Sequence, residues 1–212
     1  MELVVFSAAE KRDDEIQVIV QMFENGLQGF HLRKPLLPAE EIKKIILQIP
    51  AHFHPKIMIH SAHELIDTFQ LKGLHYPEKM MSEITKTDFS AKENQTPVMR
   101  SRSFHALIDI ENNTFPFEYA FLSPIYNSIS KPNHHSAFSE EDLKNKIPHL
   151  KCKANQSMKL FALGGINKTH LETLHTIGFS GIGVIGSIWN QPDLQTKIKV
   201  FKELRIECKT LS

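Results

Sequence analysis

Hydrophobic and polar positions along the chain fall into short apolar runs separated by stretches of helical periodicity. Residues 3–6 are apolar after a single charge and read as a first strand. Residues 10–25 place Ile16, Val18, Ile19, Val20, Met22 and Phe23 on a helix face, and Asn25-Gly26 supplies a C-terminal stop. Residues 29–33 alternate, with Phe30 and Leu32 on one side and His31 and Arg33 on the other. A second helix follows over 38–47, with Pro at its start and Ile42, Ile45 and Ile46 as its face. Residues 56–60 read as a third strand, 62–71 as a helix and 73–76 as a short fourth strand.

Residues 77–97 are polar, and only a short helix around 79–85 is expected there. The pattern resumes with a strand at 98–104, a short helix at 105–112 broken by Asn112-Asn113-Thr114, and a strand at 119–122. A polar loop, 123–139, ends at Ser139, an N-cap followed by Glu140, Glu141 and Asp142 in the first turn of a helix. The most ordered pattern is 160–188. An apolar run at 160–163 stops at Gly164-Gly165, a helix covers 168–177, and a second run at 181–185 stops at Gly186-Ser187. A last helix spans 193–207.

Eight strand candidates thus alternate with helical or loop connections. The pattern admits an eight-stranded barrel or an open doubly wound sheet. The first strand lacks a G-x-G-x-x-G turn, the strand number is even and glycine pairs close the last two strands. These features favour a compact (β/α)8 TIM barrel, a single domain over 1–212 with no composition shift to divide it.

Composition narrows the function. The 212 residues carry 25 basic against 24 acidic side chains, a net charge of +1, so no field of one sign points to nucleic acid or an anionic membrane. No apolar run approaches the roughly 20 residues that span a bilayer. The first residues read as a strand rather than a signal peptide. Cys152 and Cys208 have no metal-type spacing, and a reduced, cytoplasmic setting is expected.

In a barrel of this kind, polar residues at the C-terminal ends of the strands line one mouth. Those ends carry His31 and Arg33, His60 and Ser61, His75, then Arg102, Ser103 and His105, Ser123 and the two glycine turns. With Phe30 and Leu32 facing the helices, Arg33 points inward and requires an anion, either a ligand phosphate or carboxylate or an internal carboxylate. Glycine turns at Gly164-Gly165 and Gly186-Ser187 serve either as tight turns alone or as a phosphate grip of backbone N–H groups. Ser128, Ser130 and Lys131 supply two hydroxyls and an ammonium suited to a pyrophosphate, or are ordinary solvated loop. The strand-end histidines lack HExxH spacing and read as hydrogen-bonded core or rim residues, with no metal ligand among them.

Taken in order, the motifs HLRK, IHSAHEL, GLHYPE, SFH, SPIYNSISK, ALGGI and GVIGSI resemble the landmarks of thiamine-phosphate synthases and the related TenI-like thiazole tautomerases. The resemblance covers roughly 3–188. It implies a (β/α)8 barrel, small phosphorylated substrates and, for the synthases, Mg²⁺-assisted joining of a hydroxymethylpyrimidine pyrophosphate to thiazole phosphate. It leaves a homo-oligomer open. Carried onto this chain, Arg33 is retained from the pattern Gln-x-Arg-x-Lys, His31 replaces the Gln, and the Lys falls on Pro35 beside Lys34. Ser103 and His105 match Ser-x-His. Lys131 matches the pyrophosphate-loop Lys, and Ser128 and Ser130 stand at its Thr positions. Gly164, Gly165 and Ile166 match the thiazole-phosphate turn; Ile185 is kept at the last strand, with Gly186 in place of Ser and Ser187 adjacent.

By this resemblance Arg33, Ser103 and Lys131 would be catalytic. His31, Lys34, His60, His105, Ser128, Ser130, Gly164, Gly165, Ile185, Gly186 and Ser187 would bind substrate. The departures fall on the metal. The synthases' Asn-Asp after strand three is His60-Ser61, and the Asp expected after strand four is missing from Pro77-Glu78-Lys79-Met80. The tautomerases' His aligns with Pro124. Three functions follow as alternatives: the synthase, the tautomerase with His31, His60 or His105 as acid/base, and a non-catalytic phosphate- or thiamine-binding relative.

Overall fold

A computed structural model of the chain describes residues 1–81, 98–127, 136, 138–152 and 158–211. Its eight parallel strands close into a barrel in sequence order. They are β1 (Glu2–Phe6), β2 (Phe30–Leu32), β3 (Ile57–Ile59), β4 (Gly73–Tyr76), β5 (Met99–Phe104), β6 (Tyr119–Leu122), β7 (Lys159–Leu163) and β8 (Gly181–Val184). Closure is made by β1 against β8, with Leu3 opposite Ile182 and Val5 opposite Val184. All eight expected strands are present, each displaced by no more than a residue or so at its ends.

Around the barrel run α1 (Glu15–Glu24), α2 (Ala39–Leu47), α3 (Leu65–Phe69), α4 (Glu78–Met81), α5 (Leu107–Glu111), α6 (Glu140–Cys152), α7 (Leu171–Ile177), α8 (Gly186–Trp189) and α9 (Leu194–Thr210). The caps read from sequence explain several boundaries. After α1, Gly26 takes φ +90°, and the N–H of Leu27 reaches back to the Met22 carbonyl. Ser139 accepts from the Asp142 amide at 3.0 Å, and Asp193 accepts from the Thr196 amide at 2.8 Å. Sequence periodicity missed two elements: a 3-10 helix at Ala51–Lys56 and the four-residue α8. Both are too short to show a period. The expected helix around 79–85 is seen only as α4, the rest lying outside the described residues.

Strand alternation divides the core into two layers. Phe30, Leu32, Ile57, Ile59, Leu74, Ala120, Leu122 and Ile182 face outward and pack with the helices. Val4, Phe6, Met58, Tyr119, Phe121, Phe161 and Leu163 fill the barrel interior. The aromatic rings occupy space that β8 leaves open. A Cβ on Gly183 would lie 2.9 Å from the Phe121 ring and 3.0 Å from Phe6. Large and small residues therefore interdigitate across the barrel. The result is a filled floor, with a polar layer above it toward the C-terminal mouth.

Candidate active site

Three inward positions on adjacent strands carry that layer. His31 on β2, His60 just after β3 and His75 on β4 meet above Phe6, whose ring stacks on His31 at 4.5 Å. His31 Nδ1 lies 3.0 Å from His60 Nε2, and the His60 and His75 rings stack at 4.0 Å. The rest of the layer comes from β5 and β6. His31 Nε2 is 2.6 Å from the Tyr119 hydroxyl, His75 Nδ1 is 2.8 Å from Ser101 Oγ, and His75 Nε2 is 3.2 Å from Ser103 Oγ. Tyr119 also bonds Ser101. Five consecutive strands thus feed one hydrogen-bonded network.

Burial sets its charge. His31 and His75 are 0% and 2% exposed, His60 9%. Desolvation holds His31 and His60 well below the ordinary imidazole value, with neighbouring rings adding to the effect. His75 is pushed down to about 3, first by burial and then by the charges of Arg33 and His63. All three rings are neutral at pH 7 and offer lone pairs rather than charge. Tyr119 is raised by its burial and stays a neutral hydroxyl.

Arg33 continues the inward parity of His31, one step beyond the end of β2. Its main chain is clamped by Ser7: the Arg33 amide donates to Ser7 Oγ at 2.8 Å, and Ser7 donates to the Arg33 carbonyl at 2.9 Å. The half-buried guanidinium has no hydrogen-bond or ion-pair partner among the described residues, so no internal carboxylate there answers it. Lys34 has the opposite fate. Its Nζ donates to the Ala8 and Glu10 carbonyls at 2.9 and 3.0 Å and to Glu15 Oε2 at 2.7 Å. Parity turns it away from the mouth, and all three N–H groups are engaged. The expectation that Lys34 binds substrate is therefore corrected: it ties the segment after β1 to the start of α1.

His105, at the end of β5, is exposed, and its Nδ1 lies 2.8 Å from the Ser123 carbonyl. A carbonyl only accepts, so Nδ1 carries a proton and donates it here. Beyond β6 the chain turns through a cis peptide at Ser123-Pro124. This turn packs on the glycine pair after β7. The Ile125 amide donates to the Leu163 carbonyl at 2.9 Å and the Tyr126 amide to the Gly164 carbonyl at 3.1 Å. Gly164 and Gly165 take φ +97° and +66°. A Cβ on Gly165 would lie 2.4 Å from the Asn127 carbonyl oxygen. Both the dihedrals and the close approach require glycine.

Among the described residues, no backbone bond engages the Gly165 or Ile166 amide. The neighbouring turn after β8 is joined to this one by Ser187, which donates to the Ile166 carbonyl. Ile185 faces the barrel interior. A cavity of about 260 Å³ beside Gly186 and Ser187 is also lined by Asn167, Lys168 and α9; Arg33 and Ser103 are not in its lining. Closure of a parallel barrel puts both glycine turns, Arg33, Ser103 and His105 at one end. Ser128, Ser130 and Lys131 lie outside the described residues. Tyr119 and Ser101 were missed in sequence: Tyr119 opens an apolar run and Ser101 is one of several serines. Strand parity was the available signal for both.

The thiamine monophosphate synthase family model matches residues 2–188. The chain belongs to this family. A thiamine-phosphate synthase of Prochlorococcus marinus is 31% identical over 96 residues, covering 43% of this chain and 25% of that protein, so the chain spans well under two thirds of this relative. The thiamine phosphate pyrophosphorylase of Bacteroides thetaiotaomicron is similar over 99% of this chain and 98% of its own, with 26% identity and a TM-score of 0.79. The pyrophosphorylase of Pyrococcus furiosus, at 17% identity and a TM-score of 0.75 over 99% of this chain and 96% of its own, shows the same fold. No helix among the described residues is long and apolar enough to cross a membrane.

Members of the family generally use Mg²⁺. The donors grouped among the described residues do not fit that ion. Mg²⁺ takes oxygen ligands in octahedral array. Among the described residues the one group of three or more candidate ligands is His31, His60 and His75, all nitrogen donors. Where the synthase pattern places a carboxylate after strand three stands His60-Ser61.

Proposed function

We propose that the chain is a transferase of the thiamine-phosphate synthase type, acting on small phosphorylated substrates in the cytoplasm. It would join a hydroxymethylpyrimidine pyrophosphate to thiazole phosphate. The observation that carries this reading is the left-handed Gly164-Gly165 turn, whose Gly165 and Ile166 amides make no backbone bond among the described residues. A phosphate satisfies such amides. Arg33, at the same mouth and without a partner among the described residues, would meet the second substrate's anionic group.

The bond from the pyrimidine methylene carbon to oxygen breaks, and pyrophosphate leaves with the electron pair. The thiazole nitrogen donates its lone pair to that carbon. Protein groups contribute position and fixed charge: Arg33 and Lys131 toward the leaving pyrophosphate, Ser103, Ser128 and Ser130 as hydroxyl donors. No step is assigned to Mg²⁺. The test is incubation of folded protein with both precursors, with and without divalent cations. Thiamine phosphate above a protein-free control is expected, and loss of that product in Arg33→Ala. Absence of product under every condition refutes this reading.

One observation favours a second reading, the thiazole phosphate tautomerase. The Ser123 carbonyl fixes the His105 tautomer and leaves Nε2 as a base at the mouth. That reading predicts tautomer conversion with no pyrimidine substrate, abolished in His105→Ala. Binding of thiazole phosphate without turnover in either assay would instead mark a non-catalytic binding protein.

A further inference from the structure

We infer that His31, His60 and His75 form a binding site for one divalent transition-metal ion of the Zn²⁺ class. The inference does not depend on which reaction the mouth performs. One ring nitrogen from each histidine can be chosen so that all three lie within 4.8 Å of one another. One pair, His31 Nδ1 and His60 Nε2, is already at 3.0 Å. Three nitrogens bound at about 2.0–2.1 Å around a tetrahedral ion stand about 3.4 Å apart. The His60 and His75 rings, stacked at 4.0 Å, must turn out of that stack for their in-plane lone pairs to converge on the ion.

The surroundings are arranged as a ligand shell requires. A histidine that binds metal through one nitrogen is held by a hydrogen bond at the other. His31, binding through Nδ1, keeps Nε2 against the Tyr119 hydroxyl at 2.6 Å. His75, binding through Nε2, keeps Nδ1 against Ser101 Oγ at 2.8 Å. Tyr119 and Ser101 bond each other, so the two supports are one unit. Ser103 Oγ, 3.2 Å from His75 Nε2, stands beside the ion's open side. His60 is the most exposed of the three and marks the route of entry.

Chemistry selects the ion. Three neutral imidazoles are borderline donors that suit Zn²⁺, Co²⁺, Ni²⁺ and Cu²⁺ and reject hard Mg²⁺. Without a metal, His31 and His60 share a single hydrogen bond between two ring nitrogens. With it, both lone pairs are used.

The test uses tag-free full-length protein, stripped with a chelator and titrated with Co²⁺. One Co²⁺ per chain is expected, with the strong visible absorption of a low-coordinate site, bleached by one equivalent of Zn²⁺ and unaffected by Mg²⁺. His75→Ala should lose the absorption, and His175→Ala, an exposed histidine on α7, should keep it. Tyr119→Phe removes one hydroxyl and no ligand. It should weaken Co²⁺ affinity about 10–100-fold and keeps the test decisive if His75→Ala does not fold. Absence of visible absorption at saturating Co²⁺ overturns the proposal. So does unchanged Co²⁺ affinity in both variants, which would place the ion elsewhere.

Discussion

Replacing Lys34 by Met tests the assignment of this residue to the frame of the barrel rather than its mouth. The ammonium is fully buried and pairs with a Glu15 carboxylate that is only 3% exposed. The substitution removes three charge-assisted hydrogen bonds and leaves that carboxylate alone, with its Oε1 already unbonded among the described residues. Breaking one side of a buried pair costs about 3–5 kcal/mol. Domains of ordinary size have only about 5–15 kcal/mol in total. Urea unfolding followed by circular dichroism should show this as a lower midpoint with an unchanged slope.

The loss should depend on pH in a defined direction. Desolvation already raises Glu15 above the ordinary carboxylate value, against the opposing pull of Lys34. A carboxyl raised in the folded state contributes most stability below its unfolded pKa and loses that contribution as pH rises through the folded one. Without Lys34 the carboxyl climbs further. The deficit of Lys34→Met should therefore be largest near neutrality and shrink on acidification through the raised Glu15 value. Lys34→Met/Glu15→Leu should recover most of the loss, giving a large coupling energy in a double-mutant cycle. A Lys34→Met midpoint equal to wild type within about 0.5 kcal/mol, with loss of thiazole phosphate binding, would refute the assignment and return Lys34 to the mouth.

Two further outcomes follow from local geometry. Gly165→Ala must hold a side chain at φ +66° against the Asn127 carbonyl; it should cost about 1–3 kcal/mol in urea unfolding and weaken thiazole phosphate binding by calorimetry more than binding of the pyrimidine substrate. Trp189→Phe removes the buried bond from Nε1 to the Phe6 carbonyl, 2.7 Å long, which joins α8 to β1; a loss of about 1–3 kcal/mol is expected in the same assay, and none would show that water replaces the indole N–H.

The contrast between Arg33 and Lys34 shows how far strand parity reaches. Because successive side chains alternate, an inward Arg33 requires an outward Lys34. The sequence carried that information, and only the borrowed pattern of related proteins drew Lys34 toward the substrate. The histidines show the opposite case. His31 and Tyr119 are 88 residues apart and bond at 2.6 Å. Alternation says that His31, His75, Ser101 and Tyr119 point inward. It does not say that they share a level.

What the sequence determined by itself is local: eight strands and the helices between them, the caps at Gly26, Ser139 and Asp193, and glycine turns after the last two strands. Period, capping chemistry and backbone freedom act over a few residues and can be read there. Tertiary structure decided the rest. Barrel closure and the stagger between neighbouring strands set which inward residues meet at one height. That stagger brought three separate histidines, a tyrosine and two serines into a single network. It also seated the Gly165 turn against Asn127, so that two loops distant in sequence form one backbone surface.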